Sequence, residues 1–331
     1  MDSQQNNTRE GATAAQTVQQ AEMFANRVAK THRHLKKWAR AAGIDCYRLY
    51  DRDIPELPLA LDLYAGRAHL QEYSRPLMDG RSQARWLAAM QEAAAVTLGL
   101  QPGDVVVKQR HGQRPDEQYR KLDKSEQDFV VQEGGHRFIV NLHDHLDTGL
   151  FLDHRDTRAL VGGLARGRRV LNLFCYTASF SVYAARGGAA TTTSVDLSNT
   201  YLDWARRNFE LNGLVEGANR LVHADAVRFI TESRKAGERY GLIVLDPPSF
   251  SNSKRMDGVL DVQRDHVSLI QGCVSLLQAG GEMLFSTNLR SFRLDVEGLS
   301  DLAMEDISAR TVPQDFRNRK IHRCWRIAAK P

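Results

Sequence analysis

The chain has 331 residues, with 42% hydrophobic and 26% charged, the length of two domains and the balance of a globular protein rather than a disordered or fibrous one. No apolar run approaches the roughly 20 residues that span a bilayer. The start MDSQQNNTREGATAAQTVQQ lacks the apolar core and cleavage pattern of a signal peptide, so no membrane partner and a cytoplasmic location are expected. A net charge of +5 permits a nucleic-acid partner without showing one. Cys46, Cys175, Cys273 and Cys324 are too scattered for a zinc site, so no metal is expected.

In chain order, residues 1–16 are expected to form a disordered polar tail. Thr17 to Ala42 is expected to be a helix, ended by Gly43 and marked by Phe24, Val28, Leu35 and Trp38. It is strongly basic. Arg27, Lys30, Arg33, Lys36, Lys37 and Arg40 fall in a stretch with no acidic residue between Glu22 and Asp45. A charge run is commonly just a solvated face. His32 and His34, and the absence of acidic partners, favour contact with phosphates instead. Two strand-like runs follow, Ile44 to Tyr50 and Leu59 to Tyr73, then an Ala-rich helix from Arg81 to Leu98. Further strands are expected over Asp104–Gln109 and Asp128–Leu142, the latter turning at Glu133-Gly134-Gly135-His136, with a loop over Arg110–Asp128. Residues 17–147 thus read as a basic helix plus a small α+β domain.

From residue 148 to 331 the rhythm becomes alternating strand and helix, the pattern of a mostly parallel sheet. Strands are expected at Arg169–Phe174, Thr191–Val195, Arg220–Val222, Leu242–Leu245 and Met283–Ser286, with helices near Ala178–Arg186, Ser198–Asn212, Ala226–Ala236 and Asp261–Leu277. A helix near Val296–Leu302 and a final pair of strands, the last at Ile321–Ala329, close the domain. That ending suits a seven-stranded α/β sheet with its last strand antiparallel better than an all-parallel dinucleotide fold.

The first of these strands ends in Asn172-Leu173-Phe174-Cys175-Tyr176-Thr177, directly before a helix, where doubly wound sheets bind ligands. The loop has no glycine, so it is poor for a pyrophosphate and suits a ligand without phosphate; a buried turn with a Thr cap is the plain alternative. The second strand ends in Asp196-Leu197-Ser198, where an acid can accept both hydroxyls of a ribose, or can merely cap the next helix, a place Ser198 fits better. After the third, Asp225-Ala226 is placed to meet an adenine amino group, although alone Asp225 reads as a cap. The sharpest element is Asp246-Pro247-Pro248-Ser249-Phe250 after the fourth strand. Its prolines remove donors and free carbonyls, its acid can accept from a base N–H, and its aromatic can stack on that base. Asp153 and Arg155 precede the sheet and could bind the carboxylate and ammonium of an amino-acid moiety, or pair with other charges at the domain seam.

The strings NLFCYTASFS, SVDLS, WARRNFELNGL, DPPSFSNSKRM, DVQRDH and QDFRNRKIHRCW, with GIDCYRLYDRDIPELPLALDLY and LDTGLFLDHRDTR upstream, resemble the bacterial 23S ribosomal RNA methyltransferase K/L family, in its K half. The resemblance covers nearly everything after the tail. It implies a Rossmann-like class I methyltransferase sheet over 148–331, an RNA-binding N-terminal domain, S-adenosylmethionine as cofactor and 23S rRNA as partner. It further implies formation of 7-methylguanosine by a stand-alone K half, without the RNA-binding module and N2-methylating domain of two-headed members. The cofactor residues would be Asp153, Arg155, Asn172, Phe174, Tyr176, Thr177, Asp196, Leu197, Ser198, Asp225, Ala226 and Asp246. Asp246, Pro247, Pro248 and Phe250 would do the chemistry. Ser249, Asn252, Lys254, Arg255, Asn288, Arg290 and Phe292, with Arg33, Lys36 and Lys37, would meet the RNA.

Methylation at carbon-5 of a pyrimidine needs a covalent cysteine near the fourth or fifth strand. Neither DPPSFSNSK nor Phe285-Ser286-Thr287-Asn288-Leu289-Arg290 holds one, and Cys273 falls inside an expected helix. A nitrogen acceptor is therefore expected, with direct in-line transfer. A guanine exocyclic nitrogen or another RNA is the alternative target. A ribosome-assembly factor with a vestigial cofactor site is the alternative of another class.

Overall fold

The computed structural model describes residues 2–73, 80–110, 127–251 and 259–330. The chain forms two compact units, one of residues 1–113 and 131–133, the other of residues 114–130 and 134–331.

The first unit opens with α1 (Asp2–Ala41). The segment expected as a disordered tail falls within this helix, where Ala14, Ala15, Gln16 and Gln19 are good helix formers and no proline intervenes. Phe24, Val28, Leu35 and Ala39 recur at helical spacing and are buried. Lys30, Arg33, His34, Lys36, Lys37 and Arg40 are exposed on the other side. Four strands follow, β1 (Cys46–Asp51), β2 (Leu59–Tyr64), β3 (Arg67–Tyr73) and β4 (Val105–Arg110), in sheet order β1-β2-β3-β4. The run expected as one strand over Leu59–Tyr73 is a hairpin. Ala65 and Gly66 both take positive φ, 46° and 83°, the left-handed pair of a tight two-residue turn. β3 and β4 are parallel, and α2 (Gly80–Leu98) is the crossover that a parallel pair requires.

β5 (Asp128–Glu133) and β6 (His136–Asn141) form a two-stranded hairpin. The strands and helices of the second unit are β7 (Arg169–Leu173), β8 (Thr191–Asp196), β9 (Asn219–His223), β10 (Tyr240–Leu245), β11 (Phe250–Ser251), β12 (Leu260–Asp261), β13 (Leu277–Thr287), β14 (Leu302–Asp306) and β15 (Arg323–Ala329), with α3 (Arg155–Leu164), α4 (Ser179–Arg186), α5 (Asn199–Leu211), α6 (Ala226–Lys235), α7 (Val262–Val274) and α8 (Ser308–Thr311). Seven strands make one sheet in the order β14-β15-β13-β10-β7-β8-β9, with β15 antiparallel to both neighbours. Alternate residues face opposite layers, as strand geometry demands. Leu171, Leu173, Ile243, Leu245 and Phe285 share one core, and Val170, Leu242, Val244 and Leu284 the other.

The chain order reverses at β7, which lies between β10 and β8, so the crevice at their carboxyl ends is the switch point where doubly wound sheets bind ligands. The second unit also begins earlier than the expected boundary at Asp147–Gly149. Ile139 N–H donates to Asn208 Oδ1 and Ile139 carbonyl accepts from Trp204 Nε1, tying β6 to α5. No helix forms over Val296–Leu302. Asp295 instead caps Gly298 N–H at 2.9 Å, and isolated turns lead into β14. The expected loop over Arg110–Asp128 lies mostly outside the described residues.

Candidate active site

The pocket is built around the glycine-free loop after β7. Phe174, Tyr176 and Ala178 all have positive φ, 55°, 52° and 58°, a conformation that side chains other than glycine adopt only under constraint. The constraints are visible. Cys175 N–H donates to Val195 carbonyl at 3.0 Å, Tyr176 N–H to Asp196 Oδ2 at 2.9 Å, and Ala178 N–H to Cys175 carbonyl at 2.8 Å. Thr177 Oγ1 donates to Gly149 carbonyl at 2.7 Å, while Gly149 N–H donates to the Tyr176 hydroxyl at 2.9 Å. At Gly149 φ is +98°, and an added Cβ would lie 2.2 Å from the Trp204 ring, so glycine is required.

Phe174, Cys175, Tyr176, Asp196, Leu197, Asp225 and Ala226 line the pocket on the β7–β9 side. Asp246, Pro247, Pro248, Ser251 and Asn288 line it on the β10–β13 side, with Asp147, Phe151, Asp153, His154 and Arg158 from the segment before the sheet. Asp196 accepts from Tyr176 N–H and, through Oδ1, from Ser198 N–H at 2.9 Å. Burial nevertheless dominates and pushes its carboxyl up to about 6, against the lowering effect of those bonds and of His223. Asp246 Oδ1 accepts from Ser286 Oγ at 2.6 Å, and its Oδ2 lies 3.5 Å from His154 Nε2. Asn288 Oδ1 accepts from Ser249 Oγ at 2.7 Å, bridging the turn after β10 to the end of β13.

Several expected site residues lie elsewhere. Asn172 is buried beneath the loop, with Nδ2 donating to Ser181 Oγ at 3.0 Å, and Thr177 is fully buried as an anchor to Gly149. Ser198 caps α5, and Asp225, although it lines the pocket, also caps α6 through Arg228 N–H at 2.9 Å. Arg155 is buried in an ion pair with Asp315 at 2.6 Å, and Arg158, one helical turn on, lines the pocket in its place. Phe292 is a core residue packed on Phe285 and Trp325. Phe250 is exposed on β11, which pairs antiparallel with β12, and does not line the pocket; Arg290 is exposed. Asn252, Lys254 and Arg255 lie outside the described residues, and Arg33, Lys36 and Lys37 are exposed on α1 of the first unit.

The sequence reading missed Phe151, His154, Arg158 and Cys175. His154 and Arg158 sit in the string GLFLDHRDTR beside Asp153 and Arg155, whose opposite charges match the two ends of an amino acid more obviously. Cys175 lines the pocket, and burial, aided by Asp196, holds its thiol pKa well above the ordinary value, which disfavours the thiolate. Asp153, His154 and His322 bring three possible metal-ligand atoms within 4.8 Å of one another. His322 Nδ1 already lies 3.0 Å from Asp153 Oδ2, so a metal ion there would have to break that hydrogen bond.

A mixed seven-stranded sheet with an antiparallel seventh strand, a phosphate-averse loop at its switch point and a buried acid at the next strand end define an S-adenosylmethionine-dependent methyltransferase. Residues 59–314 match the family model described as S-adenosylmethionine-dependent methyltransferase. The ribosomal RNA large subunit methyltransferase K of Neisseria meningitidis serogroup B is 53% identical, the alignment covering 93% of this chain and 87% of that protein. The K/L enzyme of Allochromatium vinosum is 50% identical, but this chain spans only 42% of its length. Among solved structures, SMU.776, crystallised in complex with SAH, aligns with a TM-score of 0.74 at 26% identity, covering 93% of this chain and 81% of that one. The chain belongs to the S-adenosylmethionine-dependent methyltransferase family, alongside the K and K/L large-subunit enzymes.

Proposed function

We propose that the protein methylates guanine N7 in 23S ribosomal RNA in the bacterial cytoplasm. The observation that carries this reading is the opening of the Asp246-Pro247-Pro248 turn onto the same pocket as Asp196, in a chain so similar to a protein named for large-subunit rRNA methylation. Bound there, S-adenosylmethionine supplies an electrophilic methyl group on sulfur. Asp196 accepts the two ribose hydroxyls, Asp225 and Ala226 border the adenine, and Phe174 and Tyr176 shape the wall. Asp153 and Arg158 take the amino-acid end, the role expected for Asp153 and Arg155. Asp246, with its neighbouring carbonyls, accepts from N1–H and the exocyclic amine on the guanine edge opposite N7, and Asn288 closes the rim.

Guanine N7 presents an in-plane lone pair, so no proton need leave before attack and no covalent intermediate is required. The protein then contributes alignment and exclusion of water, and transfer is direct and in-line. The raised thiol pKa of Cys175 agrees with a nitrogen acceptor. A second reading, methylation of a guanine exocyclic amine, is favoured by one feature: Asp246 offers acceptor oxygens suited to amine N–H donors. The basic face of α1 would bind the RNA backbone without reading its sequence. Deleting the gene and mapping 23S rRNA modifications tests the proposal. Loss of one 7-methylguanosine supports it, and an unchanged profile rejects it.

A further inference from the structure

His154 ends the 3-10 turn Leu152–His154 before α3, is only 4% exposed and lines the pocket. Its Nε2 lies 3.5 Å from Asp246 Oδ2 and 3.9 Å from Asp153 Oδ2, and its Nδ1 lies 3.4 Å from Thr157 Oγ1. The ring stacks on His322, centroids 4.4 Å apart and 9° from parallel, with the edge of Phe180 at 5.6 Å. His322 is itself held at both ends, Nδ1 by Asp153 at 3.0 Å and Nε2 by Thr311 Oγ1 at 3.1 Å. The imidazole of His154 therefore has little freedom to turn.

We infer that His154 is a positioning residue for methyl transfer, donating from Nε2 to Asp246 and fixing the plane in which that carboxylate meets the acceptor base. The inference rests on the reading of Asp246 as the contact to that base. Burial, the largest influence, lowers the His154 pKa against the pull of Asp246; His322 and Arg158 act with burial, and Asp153 against it. A neutral imidazole has one N–H. A carboxylate oxygen accepts, so the N–H belongs on Nε2 and Nδ1 accepts from the Thr157 hydroxyl. Ser286 donates to Oδ1, and His154 Nε2 stands 3.5 Å from Oδ2, so each oxygen faces one protein group able to donate. Each oxygen keeps a further lone pair for a substrate N–H. The 3.5 Å separation is long for a hydrogen bond, and such contacts tighten when the acceptor arrives.

The test compares His154→Asn with His154→Gln. Glutamine places an amide N–H close to where Nε2 stood, whereas asparagine is polar but too short to reach Asp246. Turnover on 23S rRNA at saturating S-adenosylmethionine should fall about 10- to 100-fold in His154→Asn, the loss of one hydrogen bond to a charged group. The glutamine variant should recover most of it. Cofactor Kd by calorimetry and KM for RNA should change less than about threefold in both, since the clamp acts on the aligned complex rather than on binding. Equal activity of the two variants, or a loss confined to KM or cofactor Kd, overturns the inference. Asp246→Ala run alongside separates the two ideas. If it stays active, the reading of Asp246 itself fails; if it is inactive while His154→Asn matches wild type, only the role of His154 fails.

Discussion

Lowering the pH should weaken S-adenosylmethionine binding through Asp196 alone. The carboxyl is raised to about 6 chiefly by burial, with the N–H groups of Ser198 and Tyr176 and the nearby His223 pulling the other way. Ribose hydroxyls donate, so only the ionised carboxylate can accept from both. At pH 7.5 about 97% of the apoprotein is ionised, and at pH 5.0 about 9%, which cuts the apparent affinity about tenfold. The sign for stability is opposite. An acid whose folded pKa lies above its unfolded value favours the folded state most below the unfolded value, and that contribution is lost as pH rises through about 6. Weaker binding at pH 5.0 is therefore not unfolding caused by this residue. Calorimetric titration at pH 5.0, 6.0 and 7.5 measures the effect, with Asp196→Asn as the control that should bind weakly at every pH with no slope. A flat Kd in the wild type, or an equal slope in Asp196→Asn, refutes the reasoning.

Gly149→Ala should lower stability by roughly 1–3 kcal/mol and weaken cofactor binding, because the new methyl group meets Trp204 at a φ of +98°; thermal melts and calorimetry read both, and an unchanged melt would contradict the packing argument. RNA carrying 5-fluorocytidine should form no cofactor-dependent covalent adduct on a denaturing gel, since Cys175 is held as a thiol; an adduct would return the chemistry to pyrimidine carbon. Replacing Lys36 and Lys37 together by Glu should weaken RNA binding and reduce the slope of log affinity against log salt by about 1.5, the share of two phosphate contacts. An unchanged salt slope would leave the basic face of α1 as a solvated surface.

The parallel sheet was legible because its strands are short apolar runs ending in polar signatures. Leu242–Leu245 is buried throughout, and Asp196, Asp225 and Asp246 mark three successive strand ends. Local features misled where tertiary structure decided. The Leu59–Tyr73 run alternates well enough for one strand, yet Ala65-Gly66 folds it back. Arg155 and Arg158 look equivalent in GLFLDHRDTR, and only helix geometry turns Arg155 to Asp315 and Arg158 to the pocket. Phe292, expected at the RNA, lies in the core against Trp325, a strand the chain reaches more than thirty residues later. The loop after β7 shows the opposite lesson. Its missing glycine spoke against phosphate, but nothing local revealed that Phe174, Tyr176 and Ala178 would be forced to positive φ.

The most direct test of the account is nucleoside mass spectrometry on 23S rRNA incubated with purified protein and isotopically labelled S-adenosylmethionine. The account predicts label in 7-methylguanosine and none when Asp246→Ala replaces the wild type. Label in N2-methylguanosine or in a methylated pyrimidine would contradict it.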